Sequence, residues 1–300
     1  MTDPASLAPA FAALLADPRA ALRPPRADMP MAAYRARLDS PMIAATGPAL
    51  PEVTSAWTPC GVPMRLYRPT PPPAATILFM HGGGFVAGSL ETHDALCRML
   101  ALASGARVVS VGYRLAPEAT QPAAQEDCAA ALRWVATTQS SARLLLCGDS
   151  AGGYLAAMTA LHAPRDGIAV AGLGLFYPAI SPACATPSWQ RLGEGHMLTR
   201  DWMRWAWSTY LCAAPNKAGD GLLAADLGHL PPTHVITAAF DPLRDEGEAF
   251  VAAIAAQGGT ATLTCYPGMI HGFVSLPRLT SLADRAITEM ATTLLSQQQC

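Results

Sequence analysis

Beyond residue 75 the apolar residues gather into short dense runs: TILFM (76–80), RVVSVGY (107–113), RLLLC (143–147), VAGLGLF (170–176), HVITAAF (234–240) and ATLTCY (261–266). Runs of this length, rich in β-branched residues and without polar alternation, predict strands covered on both faces. Between them apolar positions recur at helical spacing, as over 151–162 and 246–257. The second of these opens on a capping-box-like Asp245…Glu248 and closes at Gly258-Gly259. Strand and helix in alternation predict an α/β fold, with a mostly parallel, doubly wound sheet and helices on both faces. No internal repeat interrupts the pattern.

Two stretches depart from it. The first 45 or so residues read as helix pieces broken by Pro24-Pro25 and Pro30, with Leu7, Phe11, Leu14 and Leu15 at helical spacing. VTSAWTP and PMRLYRP follow as strand patterns joined at Cys60-Gly61, a predicted hairpin, and Pro71 to Pro73 make a stiff connector. Between Ser181 and His229 there is no strand pattern, but MLTRDWMRWAWSTYLC offers Thr199 as a helix cap. Trp202, Met203, Trp205, Trp207 and Tyr210 occupy more than one face of that helix, which predicts packing on both sides. We read this span as an inserted helical lid over the sheet, joined by the N-terminal helices.

Composition narrows the class. Of 300 residues, 51% are hydrophobic and 14% charged, enough for a large core and too apolar for a disordered chain. A net charge of −2 gives no electrostatic ground for a nucleic-acid partner or an anionic membrane surface. Lys217 is the single lysine, which with the many alanines and prolines we read as coding bias, not function. The eight cysteines lie far apart with no C-x-x-C pair, so neither a zinc framework nor a disulfide scaffold is expected, but free thiols in a reducing compartment. The N-terminal apolar run follows Asp3, has no basic residue before it and ends at Asp17-Pro18, too short to span a bilayer. A soluble, unexported, cytoplasmic chain is the expectation.

The chemistry concentrates in RLLLCGDSAGGYLAAM (143–158). A strand, then Gly148-Asp149-Ser150-Ala151-Gly152, then a helix is a nucleophile elbow. Strand and helix approach so closely there that side chains two before and two after the serine would collide, hence Gly148 and Gly152. A serine hydroxyl needs a base, and the base an orienting acid. Catalytic groups of open α/β sheets gather beyond the carboxyl ends of strands. That rule selects His271 after the strand ending at Tyr266, and Asp241 directly after the strand 234–240. Asp245 and Glu246 are explained by capping and by the helix dipole. The chain order Ser150…Asp241…His271 is that of one serine-triad fold among several. FMHGGGFVAG, at the end of 76–80, supplies glycines whose N–H groups can face a developing oxyanion, and Gly82, Gly83 and Ala151 are the donors named.

His81 to Phe85 (HGGGF), Tyr113 to Glu118 (YRLAPE), Gly148 to Gly153 (GDSAGG), Asp241 to Glu246 (DPLRDE) and His271-Gly272-Phe273 together resemble the hormone-sensitive-lipase family of bacterial esterases, from about Ala75 to Phe273. The resemblance implies an α/β-hydrolase fold whose helical cap comes from the N-terminus and from an insertion before the acid-bearing strand. It gives the division into a cap segment 1–45, a catalytic domain 46–180 and 230–300, and an inserted cap segment 181–229. It also implies hydrolysis of short- to medium-chain carboxylic esters through an acyl-enzyme, with no cofactor and no metal. A departure falls near Gly221-Leu222, where many relatives carry Ser-Pro.

His81 is assigned to holding the glycine loop, and Arg114 and Glu118 to an internal ion pair or loop anchor. Trp202, Trp205 and Trp207 fit a lid core, and Trp202 and Trp205 stand with Phe85 and Tyr154 as substrate-pocket candidates. The partner expected is a small-molecule ester; nucleic acid and membrane insertion are not expected, and the oligomeric state, a homodimer included, stays open. Two rival readings stay open: an amide- or formamide-cleaving hydrolase with the same triad, and a non-catalytic small-molecule receptor.

Overall fold

The computed structural model describes residues 6–43, 47–69, 73–139, 143–212 and 221–296. Lys217, Cys300, Asp3 and most of the Pro71–Pro73 connector lie outside them. Among the described residues eight strands form one sheet: β1 Glu52–Trp57, β2 Pro63–Arg68, β3 Ala75–Met80, β4 Arg107–Val111, β5 Arg143–Asp149, β6 Gly172–Phe176, β7 Thr233–Phe240 and β8 Ala261–Ile270. Their spatial order is β1-β2-β4-β3-β5-β6-β7-β8. The hairpin at Cys60-Gly61 pairs β1 with β2, and β2 pairs antiparallel with β4; every other pairing is parallel. β2 alone therefore runs against the sheet.

The helices are α1 Pro9–Leu15, α2 Met31–Ile43, α3 Asp94–Ser104, α4 Ala123–Thr138, α5 Ala151–His162, α6 Pro187–Leu192, α7 Arg200–Leu211, α8 Arg244–Ala256 and α9 Leu282–Ser296. The strands explain why both faces are covered. In β3, Ile77 and Phe79 enter the core shared with α3 and α9, while Leu78 and Met80 enter the one shared with α4, α5 and α8. Alternate side chains point to opposite faces, so a strand that is apolar throughout needs a layer on each side.

Sequence and structure part at α8. The helix begins at Arg244, and the Asp245…Glu248 capping box does not form: Asp245 accepts the Ser188 N–H at 2.7 Å and Glu248 pairs with Arg244. The turn before the helix is held instead by Asp241 Oδ1, which accepts the Leu243 N–H at 2.8 Å. β8 also runs four residues beyond the predicted strand, through a register shift opposite Ala238 and Phe240.

The N-terminal segment and the span between β6 and β7 are stitched together. Thr199 caps α7, its hydroxyl oxygen accepting the Trp202 N–H at 3.2 Å and donating its own proton to Leu22 O at 2.6 Å. The Trp202 indole N–H donates to Tyr34 at 2.6 Å, and Trp205 meets the Tyr34 ring edge-on at 5.6 Å. Arg35 of α2 reaches the other way, donating to Val86 O at 2.7 Å and to Ala116 O at 2.9 Å and pairing with Glu118. Among the described residues no helix is long and apolar enough to cross a membrane.

Candidate active site

Ser150 ends β5 and opens α5 with φ +53°, a conformation that an L-residue adopts at a cost of about 1–3 kcal/mol. The surroundings enforce it. The Ser150 N–H donates to Phe176 O at 2.9 Å, and its carbonyl accepts the N–H groups of Gly153 and Ala179, both at 3.0 Å. A Cβ on Gly152 would run into the carbonyl oxygens of Met80 and His81, and one on Gly148 into that of Gly152. The two glycines are thus a steric requirement of strand–helix contact, as the motif predicts.

The serine hydroxyl lies 3.0 Å from His271 Nε2, and His271 Nδ1 lies 2.7 Å from Asp241 Oδ2. A carboxylate only accepts, so Nδ1 carries the ring proton and Nε2 faces the hydroxyl as an acceptor. Asp241 is completely buried and its second oxygen is fixed by the Leu243 N–H, which leaves it no freedom to turn from the ring. The Tyr177 ring meets the imidazole edge-on at 4.8 Å. Three residues far apart in the chain form one relay at the carboxyl ends of β5, β7 and β8.

The glycine loop contributes differently from expectation. Gly82 is not free to serve as a donor: its N–H is already given to Asp149 Oδ1 at 2.8 Å. Among the described residues the N–H groups of Gly83, Gly84 and Ala151 have no acceptor, and Gly83, Gly84 and Ser150 share one cavity wall. The shift of one position follows from Asp149, a residue of the distant elbow that claims the first glycine. Gly84 is constrained from outside as well, since a Cβ there would meet the Trp202 ring at 2.5 Å. His81 Nδ1 lies 2.8 Å from Gly82 O, and Tyr113 donates to His81 O at 2.7 Å while stacking on its ring at 4.2 Å. Burial, and after it the neighbouring His93, pushes the His81 imidazole down to about 3, so it stands there neutral.

The cavity over Ser150 holds about 460 Å³. Leu14, Leu22, Leu38, Met197, Trp202 and Leu276 give it its apolar lining, with Arg19, Arg37 and Asp39 among the charged members. Of the four pocket candidates only Trp202 lines it. Phe85 stacks on Tyr210 at 4.1 Å, Tyr154 packs edge-on against Trp207 at 5.1 Å, and Trp205 leans on Tyr34. Phe85 and Tyr154 are thus engaged by rings of α7, and Trp205, itself on α7, by Tyr34 of α2.

Four further residues take partners that the sequence does not mark. His93, beside Asp149, lines the cavity, and nothing in SLETHDALC marks it. Glu246, read as a dipole complement, is wholly buried and accepts the N–H groups of Ile180 (2.7 Å) and Ser181 (2.8 Å) and the Trp189 indole N–H (2.8 Å). Burial pushes its carboxyl up to about 7 despite these donors. Arg114 and Glu118 do not pair with each other: Arg114 clasps Asp127, and Glu118 receives Arg35. Among the described residues, no group of three or more His, Cys, Asp or Glu is placed to hold a metal ion.

Comparison with known proteins gives this geometry a context. Residues 77–275 match a family described by the alpha/beta hydrolase fold. The chain is 35% identical over 240 residues to an ethyl acetate hydrolase of Pseudomonas putida, covering 75% of this chain and 76% of the relative. It is 34% identical over 283 residues to Esterase LipI of Mycobacterium tuberculosis, covering 89% and 86%. Among solved structures, a Pyrobaculum calidifontis esterase superposes with a TM-score of 0.85 at 35% identity, covering 97% of this chain and 98% of that one.

Proposed function

The chain belongs to the α/β-hydrolase family, in its hormone-sensitive-lipase-like branch of esterases, and from that premise we propose that it is a serine carboxylesterase acting through an acyl-enzyme. The observation that carries the reading is the unbroken relay from Asp241 through His271 to Ser150, ending at the floor of an apolar cavity.

The steps follow from the atoms. Ser150 Oγ adds to the ester carbonyl while its proton passes to His271 Nε2, and the imidazolium so formed is held by the buried Asp241 carboxylate. The new oxyanion is received by the N–H groups of Gly83, Gly84 and Ala151, the last at the positive end of α5. The proton on Nε2 then goes to the leaving alkoxide, and the C–O bond to the alcohol breaks. Water repeats the sequence on the acyl-serine: His271 takes its proton, the hydroxyl adds to the acyl carbon, and Ser150 leaves with the proton returned.

The substrate class is a short- to medium-chain ester, which a cavity of about 460 Å³ with leucine, methionine and tryptophan walls supports. In this reading 46–180 and 230–300 form the catalytic domain, and 1–45 and 181–229 form the cap. Support comes from the bonds that tie Leu22 and Tyr34 to Thr199 and Trp202, and from the cavity walls these segments share. A cytoplasmic location fits the free thiols at Cys97, Cys128, Cys147 and Cys184, all buried. A homodimer through the edge strand β8, whose Leu263 is exposed, would show in light scattering as twice 31.3 kDa.

Labelling with a fluorophosphonate followed by peptide mapping tests the reading. We expect a single adduct on Ser150. An adduct elsewhere, or none on folded protein, overturns it. Matched p-nitrophenyl ester and anilide substrates separate an esterase, which turns over the ester far faster, from an amidase.

A further inference from the structure

Asp149 precedes Ser150, is 5% exposed and faces the same cavity, yet no step of the relay uses it. Its carboxylate is the seat of the glycine loop. Oδ1 accepts the Gly82 N–H, and a Cβ on Gly82 would strike Oδ2, so the loop rests directly on the carboxyl group. His93, 2% exposed, stands against the same carboxylate with Nε2 3.3 Å from Oδ1 and 3.4 Å from Oδ2. Its other nitrogen, Nδ1, lies 2.8 Å from Thr92 Oγ1.

The proton inventory of this cluster is constrained. The carboxylate accepts only, so the Nε2 that faces it carries a proton. Thr92 Oγ1 accepts the Ser89 N–H at 2.8 Å and lies 2.9 Å from Ser89 O. Its one hydroxyl proton can turn to Nδ1 of a neutral ring, or to Ser89 O while Nδ1–H of an imidazolium donates to Oγ1. Either way the ring is fixed at both ends. Burial opposes the charged Asp149, but His93 and the Gly82 N–H outweigh it and hold the carboxyl below the ordinary aspartate range.

We propose that Asp149 and His93 are a positioning pair for the oxyanion site: the carboxylate anchors the Gly82 peptide, so that the Gly83 and Gly84 peptides stay at the cavity wall beside Ser150, and His93 orients that carboxylate. The proposal rests on the esterase reading above. Two physical needs call for such a pair. A run of three glycines has little backbone preference of its own, and donors stabilise a transition state in proportion to how well they are fixed beforehand. A buried carboxylate also needs donors on its oxygens, and the His93 ring beside it adds one to the Gly82 N–H.

The test compares Asp149→Ala, Asp149→Asn and His93→Ala with the natural chain, in turnover of p-nitrophenyl butyrate and in inhibition by phenylboronic acid, which forms a tetrahedral adduct on the serine. Asp149→Ala should lower kcat by about 10²-fold, the cost of misplacing donors by an ångström or so, with KM nearly unchanged and boronate affinity falling in parallel. Asp149→Asn keeps an acceptor for the Gly82 N–H, offers an amide proton to Nε2 of the neutral ring, and should recover about tenfold of the loss. His93→Ala should fall in the same direction by less.

A folded Asp149→Ala with natural kcat overturns the proposal. So does a loss that Asn fails to recover, or one that leaves boronate affinity untouched. If the alanine variant does not fold, the Asn and His93 variants decide by the same two readouts. A natural chain that neither turns over ester nor takes the fluorophosphonate refutes the esterase reading instead, so the two failures are distinct.

Discussion

Two imidazole–carboxylate pairs flank the same serine, and they differ first in what the far nitrogen of each ring faces. In His271–Asp241 the nitrogen away from the carboxylate faces the Ser150 hydroxyl at 3.0 Å. In His93–Asp149 it faces Thr92, a hydroxyl already engaged with the Ser89 backbone. Both pairs are buried, and His93, Asp149 and His271 line the cavity. In the proposed mechanism, what makes one of them a general base is therefore not its composition or its burial. It is the group on the far side of the ring: a hydroxyl with a proton to give and a carbonyl carbon to attack, against a hydroxyl locked into a turn. The surroundings differ too. Five residues on from Asp241, Glu246 of α8 grips Ile180, Ser181 and Trp189; beside the glycine loop, Arg35 of α2 grips Val86 and Ala116.

The sharpest way to break this comparison is to remove each ring in turn. His271→Ala should cost about 10⁴-fold or more in kcat/KM, and Asp241→Asn about as much, since a wrong tautomer disables the base. His93→Ala should remain at least a hundred times faster than His271→Ala on the same ester. Equal losses at the two positions would erase the distinction.

Next in size is the effect at Glu246. Glu246→Ala leaves two backbone N–H groups and an indole N–H buried without an acceptor, which should cost about 3 kcal/mol or more in urea unfolding. Glu246→Gln sharpens the point through pH. The Glu246 carboxyl is raised to about 7 in the folded protein from an ordinary 4.5. Between these values the folded chain holds a proton that the unfolded chain has released, so stability falls as pH rises through the window and levels off above it. The glutamine variant lacks that slope. Its stability relative to the natural chain should rise from pH 5 to pH 7.5; a flat difference would mean that burial does not raise this carboxyl.

The smallest effect is expected on the other side. Arg35→Ala removes the tie between α2 and the Val86 and Ala116 carbonyls, on a side chain about one-fifth exposed. About 2 kcal/mol of stability and a modest rise in KM, with kcat nearly kept, would fit a clamp on the cavity wall. A large fall in kcat would instead make Arg35 part of the positioning of the oxyanion site.

Much of this architecture was legible because its causes are local or periodic. The parallel strands read as unbroken apolar runs because each is covered on both faces. The elbow is legible as a short motif because the Gly148 collision lies within five residues, although the one that demands Gly152 is with the Met80 and His81 carbonyls of β3 and its loop. His271 and Asp241 could be nominated from their places after strands, as could the Thr199 cap from its place before the aromatic helix. The errors share one origin. Gly82 was named a donor because three glycines look alike in a string, and only the carboxylate of a residue 67 positions on distinguishes the first. Glu246 looked like a surface dipole complement because its acceptor role depends on Ile180, Ser181 and Trp189 folding back over it. Phe85, Tyr154 and Trp205 looked like pocket walls because adjacency in sequence to the glycine loop, the serine or the lid says nothing about which face of a ring is already taken.

The sequence by itself determined the sheet-and-helix alternation, the strained corner at Ser150 and the chemical identity of the residues able to act there. These follow from sterics and burial acting over a few bonds or one strand length. The tertiary structure alone decided which imidazole meets the serine, which N–H groups stay free, and which carboxylate is buried. Each of those is a choice of hydrogen-bond partner. A donor or acceptor in a closed interior takes whatever the fold brings within about 3 Å, however distant along the chain.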